Sequence, residues 1–506
     1  MPKVVVDGQR LALLASAFVV ASCGLAYELV AGSLSSYLLG DSVTHFSTVI
    51  GTYLFAMGIG SWLSKHVENH VADTFVSVEV AIGVLGGFTA PFLYWVFSQP
   101  GAPFHFFLYW CVLLVGTLVG LEIPLVMRLL SSQTSLKDLV SQVLTFDYLG
   151  ALAVSVAFPL VFVPRLGFVK TGIVFGILNV LVAVWATRIF RDRLRHPRML
   201  LGQALAALVL LVGAFAGADR FSDHVESRLF DEEIIHASSS PYQRIVVTRW
   251  RGDVRLYLNN NLQFSSRDEY RYHEALVHPV LSSHPRPYRV LVLGGGDGLA
   301  VREILKNPAV REVTLVDLDP AMTNLFRDHP LLERLNESSL RKKNVAVVNA
   351  DAFKWLEDNP DAFDVVVVDF PDPSNYAVGK LYTTVFYRLL ERHLAPGGMA
   401  VVQTTSPLLA RRSFWTVVNT IESTGLVTAP YHALVPSFGE WGFVIASRTP
   451  WKAPDTIPVA TRFVTAASIA AMRQFPPDMA RLETEVNRMD NQVLVRTYEK
   501  EWGPIQ

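Results

Sequence analysis

Four acidic turns recur along the second half of the chain. They read Gly294-Gly295-Gly296-Asp297-Gly298, Asp317-Leu318-Asp319, Asn349-Ala350-Asp351 and Asp369-Phe370-Pro371-Asp372-Pro373, each after a short apolar run. A single carboxylate after such a run commonly only caps the next helix. Four in succession describe a site, because ligands of parallel α/β sheets bind outside the carboxyl ends of the strands. The glycines permit positive φ and a close backbone approach to a ligand. Asp317, at the second strand end, can accept both hydroxyls of a ribose, and Asp351 can accept from an adenine amino group. That layout suits a nucleoside of the S-adenosyl type better than a dinucleotide, since Asp297 would repel a pyrophosphate at the glycine turn. Asp297 would equally repel a ligand carboxylate and attract an amine. Asp369 and Asp372 add negative charge beside it, so the crevice is built for a cation that carries amino groups.

The elements that must hold these turns follow from the pattern. Strands are predicted over 289–293, 313–316, 345–348, 365–368 and 400–403, with helices between them, which implies a parallel sheet covered on both faces. Before it, residues 234–264 alternate apolar and polar and read as a small β-hairpin unit, with turns at Arg251-Gly252-Asp253 and Asn259-Asn260-Asn261. A helix from about Arg267, capped by Ser266 or Asp268, links the two. In the tail, Leu482, Val486, Met489, Val493 and Leu494 fall near one helical face and predict a covering helix, with a subunit contact in a homo-oligomer as the alternative. The expected organisation is a helical membrane domain (1–219), a polar linker (220–240), the hairpin and helix unit (241–287), the α/β domain (288–450) and a helical tail (451–506).

Composition separates the two halves. The chain has 506 residues, 51% of them hydrophobic, and a mean hydropathy of +0.32, too apolar for an ordinary soluble protein. A net charge of -1 indicates no nucleic-acid partner. Two cysteines in apolar runs, Cys23 and Cys111, exclude a disulfide framework and a cysteine metal site, and no metal is expected. The apolar runs 11–39, 43–63, 74–97, 104–130, 139–163, 167–190 and 199–218 are each about the length that crosses a bilayer, roughly 20 residues. Seven spans are therefore expected, in contact with lipid. Val20-Ala21-Ser22-Cys23 resembles a lipoprotein cleavage box, but the apolar pattern continues past it to Leu39, as an uncleaved span would. Tyr27, Glu28, His45, Glu79, Glu122 and Asp147 lie within these runs. Glu28 and Asp147 are the better candidates for a substrate path, and helix-to-helix hydrogen bonding is the plainer reading. Lys3, Arg10, Lys65, Arg128, Lys137 and the cluster 188–198 fall on one side, which puts the N-terminus in the cytoplasm. A cytoplasmic catalytic half then requires one run not to cross fully, and the Asp147 run is the expected one.

Residues 241–448 resemble the spermidine synthases, or polyamine aminopropyltransferases. The matching elements are Tyr242-Gln243, the helix start from Arg267 to Glu274, the glycine turn, the Asp317 and Asp351 turns, and Asp369 to Pro373. The apolar half resembles the segment fused to such enzymes in some bacteria. The resemblance implies a Rossmann-like domain of the class I methyltransferase type, acting without a prosthetic group. It implies transfer of an aminopropyl group from decarboxylated S-adenosylmethionine, as co-substrate, to a polyamine, with release of methylthioadenosine. Carried over by position, Gly294, Gly295 and Gly296 line the donor turn, Gln243 contacts the nucleoside and Asp297 holds the aminopropyl amine. Asp317 binds ribose and Asp351 adenine. Asp369 is the base that accepts a proton from the attacking amine, with Asp372 and Tyr272 positioning it. The acceptor side departs from the family pattern: His273 stands for Gln, Phe370 for a small polar residue and Phe438 for Tyr, and Glu440 is expected to supply a further carboxylate. Putrescine or a related amine is the expected acceptor. The other readings are an S-adenosylmethionine methyltransferase on the same sheet, against which Asp297 argues, and a polyamine transporter or sensor that binds without turnover.

Overall fold

The structure, a computed structural model, describes residues 8–39, 43–99, 101–130, 136–229 and 232–502. It divides into two compact units, Met1–Glu233 and Ile234–Gln506.

The first unit is helical: α1 (Gly8–Leu39), α2 (Val43–Leu63), α3 (Val71–Phe97), α4 (Phe104–Leu130), α5 (Leu136–Ala157), α6 (Val163–Ile189) and α7 (Pro197–Leu229). Helix α3 packs on α4 and α6, α2 on α4, and α1 on α5 and α6. Among the described residues, six stretches are long and apolar enough to cross a membrane, where the pattern predicts seven. The difference lies at the Asp147 run. It and the next run form one 53-residue stretch, Lys137–Ile189, because no polar loop separates them. A π turn over Phe158–Phe162 carries the helix past Pro159. The dihedrals leave the helical region at Gly167, where φ is 70° and ψ is 176°, a conformation that needs glycine.

The second unit opens with a four-stranded sheet in chain order: β1 (Glu233–Ser239), β2 (Arg244–Trp250), β3 (Asp253–Leu258) and β4 (Asn261–Ser265). Arg251 and Gly252, then Asn259 and Asn260, take positive φ at the two predicted turns, as tight hairpins with right-handed strand twist require. The stretch expected as a linker, 220–240, is instead helix to Leu229 and strand from Glu233. Helix α8 (Glu269–Ser283) begins after Asp268, but neither expected cap acts as one. Ser266 Oγ donates to Asp253 Oδ1 at 3.0 Å, and Asp268 accepts from the Ser437 amide and hydroxyl at 2.7 and 2.9 Å.

The large sheet alternates with helices: β5 (Arg289–Gly294), α9 (Leu299–Leu305), β6 (Glu312–Asp317), α10 (Pro320–Asp328), α11 (Pro330–Leu335), β7 (Val345–Asn349), α12 (Ala352–Asp358), β8 (Phe363–Asp369), α13 (Tyr376–Gly379), α14 (Thr384–Arg392), β9 (Leu394–Thr404), α15 (Arg411–Glu422), β10 (Val427–Val435) and β11 (Gly439–Ser447). The seven strands lie in the order β10-β11-β9-β8-β5-β6-β7. The five strands from β7 to β9 are parallel. Valines of β5 and β8 are buried toward both faces, which is why these strands read as unbroken apolar runs. The antiparallel pair β10–β11 extends the sheet beyond β9 and is absent from the sequence expectation.

The tail also differs from expectation. Among its described residues, only α16 (Ala466–Met472) and α17 (Val493–Trp502) are helical. Leu482, Val486 and Met489 lie in irregular backbone between them, downstream of Pro476 and Pro477, which favour extended conformations. Buried Glu274 on α8 anchors the start of the tail by accepting the amides of Arg462, Phe463 and Val464 at 2.7–3.0 Å.

Candidate active site

The chain runs β5, β6, β7 in one direction and then returns to place β8 on the other side of β5. Strand order reverses between β5 and β8, and a crevice opens at their carboxyl ends. Gly294 pairs in register with Asp369 there. A Cβ on Gly294, whose φ is 80°, would lie 2.2 Å from the Asp369 carbonyl, and one on Gly295 3.0 Å from Asp369 Oδ2. The glycine turn is thus what brings backbone against the Asp369 carboxylate.

Each acidic residue has a definite setting. Asp297 Oδ1 accepts from the Leu299 amide at 2.9 Å at the start of α9, and its backbone carbonyl accepts from Asn336 Nδ2 at 2.8 Å. Asp317 accepts from the amides of Gly296 and Asp319 at 3.0 and 2.9 Å. These bonds fix its carboxylate against the glycine turn. Gln243 reaches the same strand end, where its Nε2 donates to Asp319 Oδ2 at 3.0 Å beside the Ser240 hydroxyl at 2.6 Å. Asp319 has no assigned role in the sequence reading, yet it ties the small sheet to β6. Asp351 caps α12 and accepts from Lys380 Nζ at 2.6 Å. Burial opposes ionisation there, but Lys380 and the amides of Lys354 and Phe353 hold the carboxyl below its usual range. An adenine amino group would meet a carboxylate already engaged by Lys380.

Asp369 Oδ1 accepts from the Tyr272 hydroxyl at 2.6 Å. The Tyr272 ring lies edge-on to His273, Phe438 and, more tilted, Phe443, with centroids 5.0, 6.3 and 5.4 Å away. His273 is buried, and its Nδ1 faces Glu269 Oε2 at 2.7 Å. Burial alone would lower its pKa; the bond and charge of Glu269, with Asp297 and Asp369 behind, raise it. Glu269 also accepts from Arg302 Nη2 at 2.9 Å, and Arg302 bonds Glu303 and the Leu335 carbonyl. Glu303 completes the chain with His278 at 2.9 Å and Lys306 at 2.7 Å. The acidic crevice therefore rests on a buried network of alternating charge.

Two acceptor-side expectations resolve differently. Phe438 stands beside Tyr272 and stacks toward Trp441, 5.3 Å away. Its loop is held to α8 by the Asp268–Ser437 bonds and by Arg271, which donates to the Leu434 carbonyl at 2.6 Å. Glu440 is instead paired with His432 Nδ1. Glu440 and Phe443 lie three residues apart on β11, so strand alternation sends them to opposite faces. Phe443 takes the Tyr272 side, and Glu440 the other.

The tail supplies residues that the sequence reading misses. Tyr498 of α17 donates to Asp372 Oδ2 at 2.9 Å, and Trp502 donates to Thr405 Oγ1 at 2.9 Å. Glu501 accepts the amides of Arg412 and Ser413 at 2.9 and 3.0 Å and so caps α15. Gln403 Nε2 donates to the Phe370 carbonyl and to the Tyr382 hydroxyl, and its Oε1 accepts from Trp441. Asp372 Oδ1 is enclosed, and Thr405 and Gln403 lie close enough to favour its charged form.

Burial raises the pKa of three site carboxyls to about 6, opposed at Asp317 by the two backbone amides, at Asp369 by His273 and Tyr272, and at Asp372 by Tyr498, Thr405 and Gln403. Asp297 is also raised, again by burial first. The folded state then binds more protons than the unfolded chain between about pH 4 and 6, so the contribution of these groups to stability is full below pH 4 and lost as pH rises through about 6. Asp372→Asn should therefore raise the thermal midpoint of the full chain at about pH 7.5, with the difference gone by about pH 4. Calorimetry at the two pH values checks this. A midpoint unchanged or lower at the higher pH would show that Asp372 ionises normally.

Comparison with known proteins bears on the same residues. Residues 269–454 match the spermine/spermidine synthase domain. The chain is 51% identical over 494 residues to the polyamine aminopropyltransferase of Leptospira interrogans, covering 98% of this chain and 99% of that protein. It is 56% identical over 513 residues to polyamine aminopropyltransferase 1 of Ralstonia nicotianae, covering 100% of this chain and 97% of that one. Among solved structures, the spermidine synthase of Thermotoga maritima is similar over 48% of this chain and 85% of its own, at 22% identity and a TM-score of 0.44.

Proposed function

The chain belongs to the polyamine aminopropyltransferase family and is a transferase, and from that premise we propose that it moves the aminopropyl group of decarboxylated S-adenosylmethionine to putrescine or a related amine. The observation that carries this reading is the Asp369–Tyr272 pair, 2.6 Å apart, against the glycine turn. Tyr272 engages Oδ1 of Asp369 and leaves Oδ2 to face the turn. A neutral amine held there attacks the aminopropyl carbon next to the sulfonium. The new C–N bond forms as the C–S bond breaks, its electron pair stays on sulfur as methylthioadenosine, and Asp369 takes the proton from nitrogen. A carboxyl raised to about 6 is well matched to that task near neutral pH.

In this reading Asp317 takes the ribose hydroxyls, Gln243 and Asp351 flank the nucleoside, and Asp297 holds the donor amine. Asp372, oriented by Tyr498, receives the acceptor amine. His273 holds the charge balance behind Asp297 and Asp369, and Phe438 walls the acceptor side. The catalytic region extends through the tail to α17. Purified full-length protein incubated with each donor tests the assignment. Methylthioadenosine from the decarboxylated donor is expected. S-adenosylhomocysteine from the unmodified donor would instead make the chain a methyltransferase, and neither product would leave a binding protein.

The six apolar stretches and their outward side chains, such as Phe55, Leu160 and Val209 at 66%, 68% and 73% exposed, support a place in the cell membrane. We place the catalytic unit on the cytoplasmic side, which a cytoplasmic N-terminus and an even number of crossings, six, support. Cleavage of a C-terminal tag by protease added outside spheroplasts would overturn that orientation.

A further inference from the structure

The helical unit buries a group of polar side chains that aminopropyl transfer does not use. Tyr27 on α1, Glu79 on α3, Glu122 on α4 and Asn179 on α6 are 3%, 0%, 2% and 0% exposed. Asn179 Nδ2 donates to Glu79 Oε2 at 2.6 Å. Glu79 and Glu122 act on each other electrostatically, and both act on Tyr27 and Cys23, so the helices present one cluster. Two neighbouring donors are spent: Tyr53 donates to the Gly24 carbonyl at 2.8 Å, and the Cys23 thiol to the Phe175 carbonyl at 3.5 Å.

What remains is lopsided. Glu79 Oε1, Glu122 Oε1 and Asn179 Oδ1 are enclosed without a hydrogen-bond partner, as is the Tyr27 hydroxyl. Three of these four atoms are carboxylate or carbonyl oxygens. Enclosed polar atoms left unpaired are costly, and two neighbouring carboxylates cannot both stay charged without a counter-ion. The complement is a cation made only of donors. A protonated primary amine has three N–H donors and no acceptor. Among the described residues, no group of metal-ligating side chains is assembled, so a divalent metal is the poorer match. A narrow cleft of about 10 Å³, lined by Asp147, Ala17, Val20, Ile123, Val126 and Val143, reaches Glu122. Asp147 is half-buried, so an incoming cation meets a second carboxylate in the same cleft.

We propose that the helical unit holds a second amine site, in which Glu79, Glu122 and Asn179 bind the protonated primary amine of an aliphatic amine that approaches past Asp147. The site lies in the helical unit and the catalytic crevice in the other, and the test separates the two. Full-length protein carrying Asp369→Asn and Asp372→Asn, in detergent, is dialysed against radiolabelled putrescine. One retained site is expected. Adding Glu122→Gln should weaken it about tenfold or more, the loss of a charge-assisted hydrogen bond. Tetramethylammonium, a cation without N–H donors, should not compete, and Glu122→Gln alone should leave turnover of the otherwise unaltered enzyme unchanged. No retained binding, or binding indifferent to both Glu122→Gln and Glu79→Gln, overturns the proposal. If either substitution prevents folding, infrared difference spectra of the Asp369→Asn, Asp372→Asn chain decide the matter. Added putrescine should remove a protonated-carboxyl band, and an unchanged band would mean that the two glutamates only share protons within the bundle.

Discussion

Asp369→Asn should lower aminopropyl transfer by about 10²–10⁴-fold, the usual cost of losing a general base. Donor affinity should hardly move. The substitution preserves shape and can still accept from Tyr272, whose hydroxyl lies 2.6 Å away, but it can no longer take a proton from the attacking amine. Asp317→Asn should show the opposite split. Its carboxylate is fixed by the Gly296 and Asp319 amides before any ligand arrives, so its bonds to a ribose exist in the ground state. Losing one charged hydrogen bond of that kind costs about 1.5–3 kcal/mol of donor affinity. Calorimetric donor binding and methylthioadenosine release, measured on both variants, separate the two roles. Near-wild-type turnover by Asp369→Asn with every amine tried would move the base elsewhere on the acceptor side.

Arg302→Met should be the most destabilising single change in the catalytic unit that touches no ligand. Arg302 is 9% exposed and bonds both Glu269 and Glu303, themselves 6% and 1% exposed. Removing the guanidinium strands two buried carboxylates, and breaking a buried pair from one side costs about 3–5 kcal/mol. Burial works against Glu303, yet its partners His278, Lys306 and Arg302 hold its carboxyl down to about 2, which measures how firmly the network keeps that charge. Hydrogen exchange on the full chain should show α8 and α9 losing protection. Adding Glu269→Gln and Glu303→Gln to Arg302→Met should restore part of it. Unchanged exchange in the single variant would mean that water, not Arg302, satisfies those carboxylates. The effect should reach catalysis only through position, because His273 and Tyr272 lie on the same helix as Glu269.

The residues most legible in the sequence are those whose role is local. The glycine turn, the valine runs and the acidic strand ends announce themselves within a few positions, because φ freedom, two-sided burial and helix starts are short-range demands. From those alone, the parallel strands and the crevice carboxylates Asp297, Asp317, Asp351, Asp369 and Asp372 could be named. Other assignments depended on register and chain reversal. Glu440 reads as a site carboxylate until alternation along β11 turns it to the far face beside His432. The apolar spacing of Leu482, Val486 and Met489 imitates a helix that the proline-led backbone does not form. Tyr498 carries no motif at all. It meets Asp372 across 126 positions of sequence, through a helix whose place is set by Glu501 capping α15. The buried partnership of Glu79 with Asn179, 100 positions apart on α3 and α6, is of the same kind. The sequence by itself determined the five parallel strands and which of their ends are acidic, because those follow from propensity and period. Only the tertiary structure decided which distant side chain completes each carboxylate, because that pairing depends on how packed elements bring remote residues within a hydrogen bond of one another.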